Sequence, residues 1–98
     1  MIIEEKAREA VELFLQNPYW REYYETAPSE YSKRRAELAF YWSVETNESK
    51  VDEAMAEAKE IEKHYSLDDC RHEFKYSGND PGRLHWLKRI EELSKKGE

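Results

Sequence analysis

Apolar side chains recur at three- and four-residue spacing along most of this chain, and that period predicts helices. From residue 2 to 16, Ile3, Ala7, Ala10, Val11, Phe14 and Leu15 form one stripe, with Glu4, Glu5, Glu9 and Glu12 mostly off it. Asn17-Pro18 ends this helix, because proline cannot continue the hydrogen-bond ladder. The same pair reads as the N-cap and first position of a short helix at 18–26 that carries Trp20, Tyr23 and Tyr24. Pro28-Ser29-Glu30 reads as the first turn of a third helix to about Glu45. Tyr31, Leu38 and Trp42 form its stripe, and Ala36, Ala39 and Phe40 widen it. Its run from Leu38 to Trp42 is apolar nearly all round, so this helix is expected to be central or to have a partner on its far side.

Ser49 with Asp52 resembles a capping box for a fourth helix over about 50–64, where Val51, Ala54, Met55, Ala58, Ile61 and Tyr65 share one face. Ser66 with Asp69 repeats the signature. Leu67, Cys70 and Phe74 then mark the buried side of a short fifth helix. Ser77-Gly78-Asn79-Asp80 closes it, with Gly78 expected in the left-handed position. Asp80-Pro81 opens a last helix to about residue 95, expected to bury Leu84, Leu87, Ile90 and Leu93. The pattern predicts an all-α fold: a compact bundle of five or six short helices with no sheet, forming one domain over residues 1–98. The predicted core is Ile3, Ala7, Phe14, Leu38, Trp42, Met55, Ala58, Ile61, Phe74, Leu84, Leu87 and Ile90, drawn mainly from helices one, three, four and six.

Composition sharpens this picture. Three glycines and three prolines are too few for the turns of a small sandwich or barrel. The net charge of −6 is uneven: 15 acids and 9 bases stand in residues 1–66, and 7 of each beyond. An acidic N-terminal two thirds argues against general affinity for DNA or anionic membranes. No segment approaches 18 apolar residues, the N-terminus has no apolar signal core, and the lone Cys70 fits a reducing compartment. The expected location is the cytoplasm.

Candidate chemistry is sparse. His64, His72 and His85 share no metal-ligand spacing, and a metal is not expected. Cys70 sits on the apolar side of its helix, where a thiol behaves as a small hydrophobe, so a Cys–His nucleophile is not expected either. Asp68 and Asp69 read as dipole-matching acids of a first turn. The chain is read as non-enzymatic and without a cofactor.

Eight of its thirteen aromatics fall between Tyr19 and Trp42. They either close a thin core, with tyrosine hydroxyls at the rim, or form a protein-binding face. Tyr23 with Tyr24, and Tyr41 with Trp42, are helix neighbours, so one of each pair is expected to face outward. This points to protein–protein binding or self-association by a small acidic regulator or inhibitor, of the kind bacteria, phages or mobile elements encode. The expected anchors are Trp20, Arg21, Tyr23, Tyr24, Arg34, Arg35 and Tyr41. Lys33-Arg34-Arg35 spreads around a helical turn, and Glu30 and Glu37 stand where they can pair with it. The alternative is a DNA-binding regulator using residues 67–96 as a helix-turn-helix, with Arg83, His85, Lys88 and Arg89 as contacts. It requires Arg83, Lys88 and Arg89 on one exposed face.

Overall fold

The computed structural model describes residues 4–96. Among these the fold is all-α, with six helices and no strand: α1 (Glu5–Phe14), α2 (Pro18–Glu25), α3 (Glu30–Val44), α4 (Glu48–Glu62), α5 (Leu67–Tyr76) and α6 (Asp80–Lys96). The expected core residue Ile3 lies outside the described residues.

Short polar side chains set the helix starts. Asn17 Oδ1 accepts from the Tyr19 N–H at 2.9 Å, with Pro18 at the first helical position, as the sequence predicts. Ser66 and Asp69 form the expected capping box. Three starts differ from expectation. Helix α3 begins after Ser29, which forms a box with Ser32. Helix α4 is capped by Asn47, whose Oδ1 accepts from Ser49 N at 3.0 Å and Lys50 N at 3.4 Å; Asn47 therefore takes the role expected of Ser49. Asn79, one residue before Asp80, receives the Gly82 N–H at 2.8 Å. Gly78 does not adopt the left-handed conformation, and no glycine among the described residues has positive φ. The chain leaves α5 through an extended Ser77, whose Oγ donates to the Glu73 carbonyl at 2.8 Å and satisfies a terminal acceptor directly.

Helix α3 is central, as its all-round apolar run predicts. Leu38 and Tyr41 join Ala7, Ala54 and Ala58 on one side. Ala36 and Phe40 join Ala10, Tyr23 and Tyr76 on the other. Alanines carry the α1 and α4 contacts, so the helices approach closely. The fully buried α4 positions are Ala54 and Ala58, and Met55 is displaced to the rim at 42% exposure. A third cluster joins Tyr65, Cys70 and Trp86, flanked by Ile90 and Leu93. Here α6 is rolled away from expectation. Trp86, Ile90 and Leu93 face inward, while Leu84 and Leu87 are 65% and 40% exposed. Trp86 and Leu84 are two residues apart and so point to nearly opposite sides of the helix; burying the larger side chain exposes the smaller.

Glu45 staples the α3–α4 corner. Its carboxylate accepts from the backbone N–H groups of Thr46 and Asn47 and from Lys6 Nζ, each at 3.0 Å, and from the Tyr41 hydroxyl at 2.9 Å. The Asn47 N–H, then Lys6, pull its pKa from the ordinary 4.5 down to about 2. A depressed folded pKa contributes stability that is present above 4.5 and is lost as pH falls through about 2. Thermal unfolding followed by circular dichroism should show Glu45→Gln less stable than the parent at pH 7, with the gap closing near pH 2.

Candidate functional site

Helix α5 carries polar groups into the interior. Its buried side holds Asp69, Cys70, Glu73 and Tyr76, at helical spacings of one, three and three. Asp69 accepts from its own cap and from the Ser29 hydroxyl at 2.7 Å, tying the starts of α3 and α5 together. Glu73, only 5% exposed, is the centre of a cluster. It accepts from the Tyr23 hydroxyl at 2.9 and 3.1 Å, the Tyr65 hydroxyl at 3.1 Å and Arg35 Nη1 at 3.5 Å. Burial raises the Glu73 pKa, against the pull of Arg35 and the two tyrosines. Burial and the Glu73 charge also hold the Tyr23 and Tyr65 hydroxyls protonated, well above the usual tyrosine range. Burial lowers the Arg35 pKa, but Glu73 and Glu62 outweigh it, so the guanidinium stays charged. The Arg35 guanidinium also lies 5.2 Å from the Trp86 ring and 5.9 Å from that of Trp42, which favours the cation again.

Above this cluster is a cavity of about 370 Å³. All three tryptophans of the chain line it, from α2, α3 and α6, together with Phe14, Phe40 and Tyr76. Arg35 and Glu73 are its charged lining residues, and Ser43, Ser77 and Asn79 its polar ones. A second feature lies on the outer side of α5 and α6. Leu84 and Leu87, one turn apart, flank a hollow of about 420 Å³ with Phe74, Asp80 and Arg83.

The residues expected as partner anchors do not share one exposed face. Tyr41 is buried on Glu45, and Tyr23 on Glu73. Tyr24 is half-buried and donates to Glu37 at 2.8 Å, and Trp20 is half-buried in the cavity wall. Arg21 is exposed but donates through Nε to the Leu15 carbonyl at 2.8 Å, closing the α1–α2 turn. Arg34 pairs with Glu57 at 2.8 Å and with Glu37 at 3.8 Å, and Arg35 belongs to the Glu73 cluster. In each neighbouring pair one aromatic is buried and the other half-buried: Tyr23 and Tyr24 both pack on the Ala10–Phe40 side, and Tyr41 and Trp42 both on the Ala7–Ala58 side. Tyr19 and Tyr31, each 45% exposed, are the outward aromatics of the stretch.

The basic residues of α6 also diverge. The Arg83 guanidinium lies 4.9 Å from the Phe74 ring, whereas Arg89 Nη2 donates to the Glu62 carbonyl at 2.7 Å on another flank. His85 stands beside Glu62 at 3.3 Å, and Lys88 is exposed. The single basic face that a recognition helix requires is therefore not formed. Cys70 is sealed, and burial raises its thiol pKa. The histidines occupy separate settings. His64 stacks on Tyr31 at 5.1 Å, and His72 on Tyr23 at 5.0 Å, where burial lowers its pKa. Among the described residues no group of three or more His, Cys, Asp or Glu is arranged to hold a metal ion.

Sequence reasoning missed Glu73, and it placed Tyr65 on the apolar face of the fourth helix without a role in a polar cluster. The available signal was position: Glu73 follows Cys70 by three and Asp69 by four, which places it on the buried stripe of α5. The exposed Leu84–Leu87 pair had no such signal, since its spacing is that of any core stripe. Among the described residues, fold and site together define an all-α protein of six helices with a buried acid–arginine–tyrosine cluster below an aromatic cavity. No protein-family model, curated protein or solved structure matches the chain. None of the described helices is long and apolar enough to cross a membrane.

Proposed function

We propose that this protein acts by protein–protein binding, that α6 is its docking element, and that the occupant of this face is a second copy of the same chain. The carrying observation is the exposed Leu84–Leu87 pair beside half-buried Phe74. The charge order along α6 supports a like helix running antiparallel. Arg83 precedes the leucines and Glu91 follows them, and all four residues are exposed. With Leu87 opposite Leu87 of the second copy, each Arg83 meets the other copy's Glu91, and each Asp80 lies near the other's Lys95. A parallel arrangement sets Arg83 against Arg83 and Glu91 against Glu91. The lone, sealed Cys70 supports a reducing compartment, the cytoplasm, for this activity.

Light scattering should give a concentration-dependent dimer that persists in high salt, because an apolar contact is not screened. An apolar contact built on Leu84, Leu87 and part of Phe74 from each copy is small, so the dimer should be weak. Leu84→Glu with Leu87→Glu should weaken it by more than about tenfold, from roughly 1.5–3 kcal/mol per buried leucine. Monomer unfolding should shift by less than about 0.5 kcal/mol. Arg83→Glu should weaken the dimer, and adding Glu91→Arg should restore it. A monomer at every concentration, or no rescue in the double variant, would overturn the antiparallel pairing.

A further inference from the structure

We propose that the tryptophan-lined cavity binds a small, uncharged, planar heteroaromatic molecule that carries both a hydrogen-bond donor and an acceptor. Trp20, Trp42 and Trp86 come from three helices and meet at one concavity of about 370 Å³, within the range of small-molecule sites (roughly 300–1,000 Å³). Its wall is built for a flat ring. Phe14 and Phe40 stack at 4.6 Å, and Trp20 stands edge-on to both at 6.1 and 6.2 Å, so the wall is a fixed aromatic surface.

Charge decides against ions. Arg35 and Glu73, the charged groups of the lining, are already paired with each other. A charged ligand would enter an aromatic-walled site with no free counter-charge, or would have to break that pair.

The remaining polar groups specify hydrogen bonding of both senses. The Ser43 and Ser77 hydroxyls donate to the Ala39 and Glu73 carbonyls, each at 2.8 Å, and so offer a ligand only their lone pairs. Asn79 Oδ1 is committed to the Gly82 N–H, which leaves the Asn79 amide N–H groups as donors. Arg35 has five donors: Nη1 makes the 3.5 Å contact to Glu73 and Nε faces the Glu62 carboxylate at 3.6 Å, so its Nη2 N–H groups, without a hydrogen bond among the described residues, are the ones it can offer. A hydrocarbon ring would leave these groups unanswered, whereas a ring bearing a carboxamide would answer both kinds.

The test is a titration of the full chain with nicotinamide, followed through the three tryptophan indole N–H signals by NMR. Nicotinate (an anion), benzylamine (a cation) and toluene (no hydrogen-bonding groups) serve as comparison probes. Nicotinamide should shift all three indole signals with a single dissociation constant. The other probes should bind at least about tenfold more weakly, toluene because the lining's hydrogen-bonding groups go unanswered and the two ions because they bring an unpaired charge into an aromatic site. Ala39→Leu, which fills the wall, should abolish the shifts, and Ser77→Ala should weaken them several-fold, both with an unchanged helical spectrum. Equal binding of toluene would overturn the hydrogen-bonding role of the lining. Tighter binding of nicotinate or benzylamine would overturn the exclusion of charge. Indole signals that do not move, or binding that survives Ala39→Leu, would overturn the site.

Discussion

Replacing Arg35 by alanine is expected to cost about 3–4 kcal/mol of stability, the lower part of the range for breaking a buried ion pair. The lower part applies because the Arg35 side chain retains 18% exposure. The loss is large because two acids depend on this cation. The side chains of Glu73 and Glu62 are 6% and 14% exposed, and the stacking on Trp86 and Trp42 goes with the guanidinium. In a domain of this size that amounts to a fall of about 12 °C or more in Tm. The deficit should depend on pH. The Glu73 pKa is already raised by burial, and removing Arg35 raises it further. Between the ordinary carboxyl value and that raised value, the native state holds a proton that the unfolded chain has released. The stability from that proton is fully present below the ordinary value and is lost as pH rises through the raised one. Arg35→Ala should therefore recover part of its loss on acidification from pH 7 to 5. Adding Glu73→Gln should recover part of it at pH 7. Urea unfolding of the single and double variants at both pH values measures this. A loss below about 1 kcal/mol, the level of an exposed pair, would contradict the central role given to the cluster.

Phe40→Ala should cost a comparable amount, about 3–5 kcal/mol, for a different reason. Phe40 is 2% exposed and is the hub of the aromatic side of α3, stacked on Phe14 and edge-on to Trp20 and Tyr23. Truncation removes the transfer free energy of a large ring and leaves a void that three rings cannot all fill. This loss should be insensitive to pH between 5 and 7, since no titrating group contacts the ring as a partner in charge. That separates it from the Arg35 variant in the same experiment. Phe40→Leu, which keeps most of the volume, should lose clearly less. Loss of near-ultraviolet dichroism ahead of helix melting would show that the aromatic side loosens first.

Much of the architecture was legible from local pattern. The all-α class, the six segments, the caps at Asn17 and Ser66, and the central place of α3 all follow from spacing and short-range hydrogen bonding. Those interactions span three or four residues, and the chain writes them out directly. The aromatic stretch was legible as a cluster, but its sidedness was not. Tyr41 reads as surface beside Trp42, yet it is buried against Ala7, Ala54 and Ala58 of two other helices, with Glu45 accepting its hydroxyl. Arg34 and Arg35 read as partner anchors flanked by local acids; Glu37 does lie 3.8 Å from Arg34, yet the other partners, Glu57, Glu62 and Glu73, lie 23 to 38 residues away.

Sequence by itself thus determined that six segments are helical, the caps at Asn17 and Ser66, which helices carry apolar stripes, and that Cys70 belongs inside. Tertiary structure decided the rest. It selected Trp86 over Leu84 and Leu87 as the buried side of α6, gathered the three tryptophans around one cavity, and placed Glu73 among Tyr23, Tyr65 and Arg35. The physical reason is one of range. Periodicity and capping are properties of a few consecutive residues. The burial of a charge, or the roll of a helix, depends on which distant side chains arrive to pair with it or cover it.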